Sequence, residues 1–193
     1  MKSALIVVDL QFDFMPGGAL PVPKGDDIVK PIGQIRRLFD TVIFTQDWHT
    51  ADHCSFKQNG GIWPVHCLQY SPAASLPHRI MRPDDIVVTK GMDKNVDSYS
   101  GFWDNEKKNQ TDLQEILRIK EIDDVYICGL ATEYCVKYTA LDAIAIGYQT
   151  NVIIDACRGI TNKDVEYAYS EMTAKHVRLS SIGSMSSWSM YTL

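Results

Sequence analysis

The chain has 193 residues, 45% of them hydrophobic and 22% charged, which suits one soluble domain (1–193) with a sizeable core. Its net charge is −5, and its 19 Lys and Arg are scattered, so no basic stripe marks it as a nucleic-acid binder. Five cysteines without a secretion signal argue for reduced thiols in the cytoplasm, and no apolar run is long enough to span a bilayer.

The first predicted element is the apolar run "SALIVVDL", β-rich and without alternation. Such runs mark strands buried on both faces, as in parallel sheets. Helical spacing follows from Ile28 to Phe39. A second strand is predicted at "TVIFTQD" (41–47). The segment from Trp48 to Asp84, rich in His, Pro, Gly and Cys, is a long loop of the kind that is more often functional than idle. "DIVVTK" (85–90) is the third strand, and Leu113 to Lys120 reads as helix. "DVYICGL" (124–130) is the fourth strand, with helical spacing from Glu133 to Ile146. "TNVIID" (150–155) is the fifth, followed by helical spacing from Lys163 to Lys175, and a weaker strand starts at His176. The tail from 181 to 193, rich in Ser and Met, reads as a packed or partly disordered terminus. The alternation predicts a doubly wound α/β fold, Rossmann-like, with about six mainly parallel strands and helices on both faces.

In such a sheet, ligands bind beyond the carboxyl ends of the strands. Asp9 ends the first strand and Asp47 the second, with His49 beyond it. Lys90 ends the third. Gly129-Leu130-Ala131-Thr132 ends the fourth, and Cys135 follows. Singly, each has a plain structural role: a turn or cap for Asp9, a surface turn for Lys90, a small buried hydrophobe for Cys135. Together they bring an acid, a base and a thiol to one edge. The strand-turn-helix setting of Cys135 predicts a lowered thiol pKa and amides that receive an oxyanion. Cys128 reads as core, Cys54 and Cys67 as ligands or filler, and Asp155 and Cys157 as structural.

Asp47 and His49 are two apart, so in extended chain they face one side. His53 and His66 can swing in from the loop. One carboxylate and two or three imidazoles describe a catalytic zinc, manganese or iron site better than a structural one.

The stretches "ALIVVDLQFDFMPGGALPV", "TQDWHTADHCSF", "WPVHC", "TKG…DSYSGF" and "GLATEYCVKYTALDA" resemble the nicotinamidase/pyrazinamidase branch of the isochorismatase-like cysteine hydrolases. The resemblance runs in the family's order from about Ala4 to about Lys175. Phe12 departs from it, since Asn is common there. The resemblance implies a catalytic triad at Asp9, Lys90 and Cys135, and metal ligands at Asp47, His49 and His66. His53 matches a position that ligates in some members. It also implies a cis peptide between Leu130 and Ala131, an oxyanion hole from the Ala131 and Cys135 amides, and a ring pocket walled by Phe14, Trp63 and Tyr99. The implied activity is hydrolysis of nicotinamide, and of pyrazinamide, to the acid and ammonia through a cysteine thioester, in NAD salvage. The partner is then a small molecule, with one divalent metal, zinc ahead of manganese or iron. The number of subunits, homo-oligomer or monomer, is left open. The alternatives are an amidase for a carbamoyl or ureido substrate, isochorismate cleavage, and a non-catalytic metal-binding protein. The first two give no reason for the Asp-His-His cluster, and the last has no need of the acid, lysine and thiol together.

Overall fold

The computed structural model describes residues 2–185. Six parallel strands form one sheet in the order β3-β2-β1-β4-β5-β6. In chain order the elements are β1 (Ser3–Val8), α1 (Val29–Ile35), β2 (Thr41–Asp47), β3 (Ile86–Lys90), α2 (Leu113–Ile119), β4 (Asp124–Leu130), α3 (Lys137–Ile146), β5 (Gln149–Arg158), α4 (Asn162–Ala174), β6 (Arg178–Ser180) and α5 (Ile182–Met185). Strand β1 is central, paired with β2 on one side and β4 on the other. This explains its unbroken apolar run: Ala4 to Val8 are all fully buried. Right-handed crossovers place α1 on one face and α2, α3 and α4 on the other. The order reverses between β1 and β4, and the crevice of a doubly wound sheet opens at that switch point.

Glycine is required where β4 leaves the sheet. Gly129 has φ +123°, and a Cβ there would land against the Val8 carbonyl. The next peptide bond, Leu130–Ala131, is cis. The chain then makes a π-helical turn over Thr132–Val136 before α3 begins at Lys137.

Three predicted boundaries shift. Strand β5 runs to Arg158 rather than Asp155, because a bulge against β4 lets Cys157 pair with Gly129. The helix predicted from Ile28 is α-helical only to Ile35 and tightens into a 3₁₀ turn at Arg36–Leu38. The final strand is three residues long. Within the Ser/Met-rich tail, Ile182–Met185 form α5 with Met185 buried in the core, and residues 186–193 lie outside the described residues. No helix among the described residues is long and apolar enough to cross a membrane.

Candidate active site

The strand-end residues converge at the switch point. Lys90 is buried, and its Nζ lies 2.9 Å from Asp9 Oδ2, 2.5 Å from Asp47 Oδ1 and 3.6 Å from Cys135 Sγ. It also donates to the Ser98 carbonyl at 2.8 Å. One cation therefore sits among two carboxylates, a carbonyl and a thiol. Asp9 adopts a left-handed φ of +45°, a conformation that Asp tolerates better than most residues. Thr45 on β2 fixes it there: the hydroxyl donates to Asp9 Oδ1 at 2.6 Å and accepts from the Asp9 N–H at 3.1 Å.

Charge and burial compete at each group. Burial pushes the Asp9 carboxyl up, Lys90 pulls it down, and the balance lies above the usual carboxylate range. Asp47 is also buried, but Lys90 and His49 hold it well below that range. Burial alone would neutralise Lys90, yet Asp47 and Asp9 hold it firmly charged. Burial pushes the Cys135 thiol well above its ordinary value, with Lys90 acting in the opposite direction. This corrects the expectation of a lowered thiol pKa. Cys135 is buried, and desolvation of a thiolate outweighs the neighbouring lysine.

Asp47, His49 and His66 place one ligand atom each within 4.8 Å of one another, all three side chains buried. The segment after His66 runs beside the end of β2, with the His49 N–H donating to the Cys67 carbonyl at 2.9 Å and the Gln69 N–H to the His49 carbonyl at 2.9 Å. Asp13 holds this segment by accepting the Cys67 N–H at 2.6 Å and the Ala19 N–H at 3.1 Å. Gln11 clamps the end of β2, donating to the Asp47 carbonyl and accepting its N–H, each at 2.8 Å. His49 Nδ1 lies against the Gly91 carbonyl and His66 Nδ1 against the Pro64 carbonyl, each at 2.8 Å, which leaves both Nε2 atoms for a cation. Asp47 Oδ2, the oxygen that Lys90 does not take at 2.5 Å, is 3.7 Å from His49 Nε2. A carboxylate oxygen and two imidazole nitrogens at this spacing fit a divalent metal. His53 packs against His49 at a tilt, with ring centroids 4.1 Å apart, but it groups with His49 and Asp97 rather than with Asp47 and His66. Phe56, fully buried, packs against all three imidazoles.

One pocket joins the two clusters. Cys135 and Ala131 line one side and Asp47 and His66 another, with Phe14, Trp63 and Tyr99 as the expected aromatic walls. Trp63 donates its indole N–H to the Tyr99 hydroxyl at 3.2 Å, which fixes two of these walls. Tyr134, Leu20, Val22, Ile160 and Asp97 complete the lining, and the sequence reading missed them. Tyr134 could have been found, since it adjoins Cys135 on the same turn. Ile160 had no local signal: it is brought in by Glu133, whose carboxylate accepts the Ile160 N–H at 2.7 Å. All five cysteines are free, and Cys67, Cys128 and Cys157 are buried core residues. Asp155 accepts the Ile182 N–H at 3.0 Å and so anchors α5.

The fold and side-chain set define a doubly wound α/β protein with an acid–lysine–thiol cluster beside a candidate metal centre. A model of the isochorismatase domain matches residues 3–183, and the chain belongs to that family. It is 42% identical to the nicotinamidase of Escherichia coli (strain K12), over 89% of this chain and 91% of that one. Among solved structures it resembles a pyrazinamidase of Pyrococcus horikoshii in complex with zinc, with TM-score 0.85 and 42% identity, covering 94% of this chain and 100% of that chain. It also resembles the yeast nicotinamidase bound to the inhibitor nicotinaldehyde, with TM-score 0.89 and 31% identity, covering 93% of this chain and 99% of that chain.

Proposed function

We propose that this protein is a nicotinamidase: it hydrolyses nicotinamide, and pyrazinamide, to the pyridine or pyrazine acid and ammonia. The observation that carries this reading is one pocket lined by Cys135, by the Asp47–His66 pair and by the aromatic rings of Phe14, Trp63, Tyr99 and Tyr134. A planar heteroaromatic amide fits that arrangement, with its carboxamide at the thiol and its ring nitrogen toward the metal ligands. The relatives named nicotinamidase and pyrazinamidase support the same substrate class.

The resting thiol is protonated, so attack requires a base beside it. Asp9 and Cys135 offer ligand atoms within 4.8 Å of each other, and Asp9 takes the Sγ proton as sulfur bonds to the carboxamide carbon. The Ala131 and Cys135 amides donate to the developing oxyanion. Asp9 returns the proton to the amide nitrogen, the C–N bond breaks, and ammonia leaves a thioester on Cys135. Water then attacks the thioester while Asp9 accepts its proton. Asp9 returns that proton to sulfur as the C–S bond breaks, and the thiol is restored as the acid departs. Lys90 stays charged throughout and offsets negative charge on Asp9 and on sulfur.

Asp47, His49 and His66 would hold one divalent metal, zinc ahead of manganese or iron, given the N and O donors and the zinc-bound relative. When bound, it supplies a Lewis acid for a ring nitrogen. Five free thiols suit a reducing compartment, so we place the protein in the cytoplasm, with a small-molecule substrate and no nucleic-acid or membrane partner.

The test is ammonia release from nicotinamide by zinc-loaded and chelator-treated protein, with nicotinate identified by chromatography. Metal-dependent formation of nicotinate is expected. Turnover of carbamoyl or ureido compounds with none of nicotinamide would overturn the reading.

A further inference from the structure

One wall of the pocket is supplied by a turn rather than by a strand or a helix. In the sheet order β2-β1-β4-β5, Asp47 ends β2, the turn carrying Cys135 follows β4, and Ile160 lies just past the end of β5 at Arg158. Ile160 therefore enters from the side of Cys135 opposite the candidate metal ligands. It lines the pocket yet is 37% exposed, so packing alone does not hold it. Glu133 does. Its carboxylate is buried, and one oxygen, Oε1, accepts the Ile160 N–H at 2.7 Å. The other, Oε2, lies against Gly159, where a Cβ would come within 2.3 Å of it, and it has no hydrogen-bond partner among the described residues. A buried carboxylate so sparsely bonded is costly. The bond that it does make fixes the turn between β5 and α4. The anchor belongs to the catalytic turn itself, Thr132–Val136, directly before Tyr134 and Cys135.

We propose that Glu133 is a positioning residue for substrate selection: by holding Ile160 it limits the pocket to nicotinamides without a bulky group at ring carbon 5. This inference rests on the nicotinamidase reading above, in which the ring nitrogen points toward Asp47 and His66 and the carboxamide toward Cys135. Ring carbon 5 is meta to both, so a substituent there disturbs neither. The lining left for that edge of the ring is aliphatic: Leu20, Val22 and Ile160. Leu20 and Val22 are fixed by their own backbone, whose N–H groups donate to the Asp13 and Phe14 carbonyls at 3.0 Å each. Ile160 differs from them in depending on a side chain, that of Glu133. Its position thus sets how much room the ring edge has. A single methylene in an apolar pocket changes discrimination by about 10–200-fold.

The experiment compares kcat and KM for nicotinamide, 5-methylnicotinamide and 5-propylnicotinamide on zinc-loaded protein. The wild type should discriminate against the propyl compound. Glu133→Leu, which fills space without accepting a bond, should narrow that discrimination in kcat/KM by about tenfold or more, and so should Ile160→Ala. The double variant should go no further than Ile160→Ala, because both changes act through one wall. For nicotinamide itself, KM should rise while kcat is nearly kept, since an aliphatic wall binds substrate and transition state alike. Glu133→Gln keeps an acceptor oxygen and should retain the selectivity of the wild type. A Glu133 that only braced the Cys135 turn would behave differently: Glu133→Leu would lose kcat with selectivity unchanged, and that result would overturn the proposal. Equal loss of selectivity in Glu133→Gln and Glu133→Leu would overturn it too. Should Glu133→Leu not fold, the bond is read in the wild type by amide hydrogen exchange on nitrogen-15-labelled protein. Slow exchange at Ile160 is expected, and exchange as fast as in an unfolded chain would contradict the tie. Ile160→Ala then carries the selectivity test alone, and discrimination unchanged from the wild type would sink it. No turnover of nicotinamide by the wild type would overturn the nicotinamidase reading itself, and the exchange rate at Ile160 would still decide the Glu133–Ile160 bond.

Discussion

Lys90 Nζ lies 2.5 Å from Asp47 Oδ1, and this ion pair joins the Cys135 cluster to the candidate metal ligands. The same ammonium is 2.9 Å from Asp9 Oδ2, so two buried carboxylates share one buried cation. Removing it leaves both buried acids uncompensated. Lys90→Met should therefore lose activity and also about 3–5 kcal/mol of stability, the cost of breaking a buried ion pair from one side. Urea unfolding of the variant beside an ammonia assay measures both. Wild-type stability in Lys90→Met would show that the cluster is not charged as described.

Cys135 and Cys128 lie seven residues apart, both buried, and should respond oppositely to Ala. Cys135→Ala removes the atom proposed to form the thioester, so turnover should fall to background while the fold is kept. Cys128 is packed in the sheet core, and its loss should cost about 0.5–3 kcal/mol while activity remains. Paired thermal melts and turnover assays check this. Turnover by Cys135→Ala would eliminate the thiol mechanism.

His49→Ala tests the metal more cleanly than any change at Asp47, because Asp47 also partners Lys90. Metal affinity should drop by more than about 10²-fold, beyond the usual effect of losing an outer partner. Elemental analysis after dialysis reads this directly. One equivalent of tightly held metal in His49→Ala would place the site elsewhere.

Much of this site was legible because a parallel sheet converts sequence position into space. Asp9, Asp47, Lys90 and the turn before Cys135 end their strands, and strand ends of a doubly wound sheet share an edge. The groups that tune them were not legible. Thr45 sits mid-strand in an apolar run, and Ser98 acts through its carbonyl, which no side-chain pattern reveals. Gln11 and Asp13 lie outside every predicted strand and helix, yet they clamp β2 and the His66 segment through backbone groups distant in sequence. The extension of β5 to Arg158 depends on a bulge, which periodicity does not show. The thiol was misjudged because a helix start is a local feature, whereas desolvation is set by the whole fold around it.

Gly129→Ala should disrupt the protein far from any chemistry of its own. Its φ of +123° is open essentially to glycine, and the new methyl would meet the Val8 carbonyl of the central strand. The conformational term alone is about 1–3 kcal/mol, and the clash adds to it. Soluble yield and a denaturant melt decide this, and near-native stability would contradict the close approach of β1 and β4.

The last prediction concerns the ring. Benzamide has nearly the shape of nicotinamide and the same carboxamide, but it lacks the ring nitrogen. Walls of Phe14, Trp63, Tyr99 and Tyr134 would hardly separate the two by contact alone. A group that binds a polar atom rejects an analogue lacking it by a large factor, about 10⁴ where hydrogen bonds do the reading. A ring nitrogen directed at the Asp47–His49–His66 set should act in the same direction. Pyrazinamide keeps that nitrogen and should be cleaved. The comparison is kcat/KM for nicotinamide, pyrazinamide and benzamide on zinc-loaded protein, repeated on His49→Ala. The wild type should prefer nicotinamide over benzamide by orders of magnitude, and in His49→Ala the preference should shrink through the loss of nicotinamide turnover. Equal values for the two amides on the wild type would mean that shape alone selects the substrate, and the metal would then have to act elsewhere.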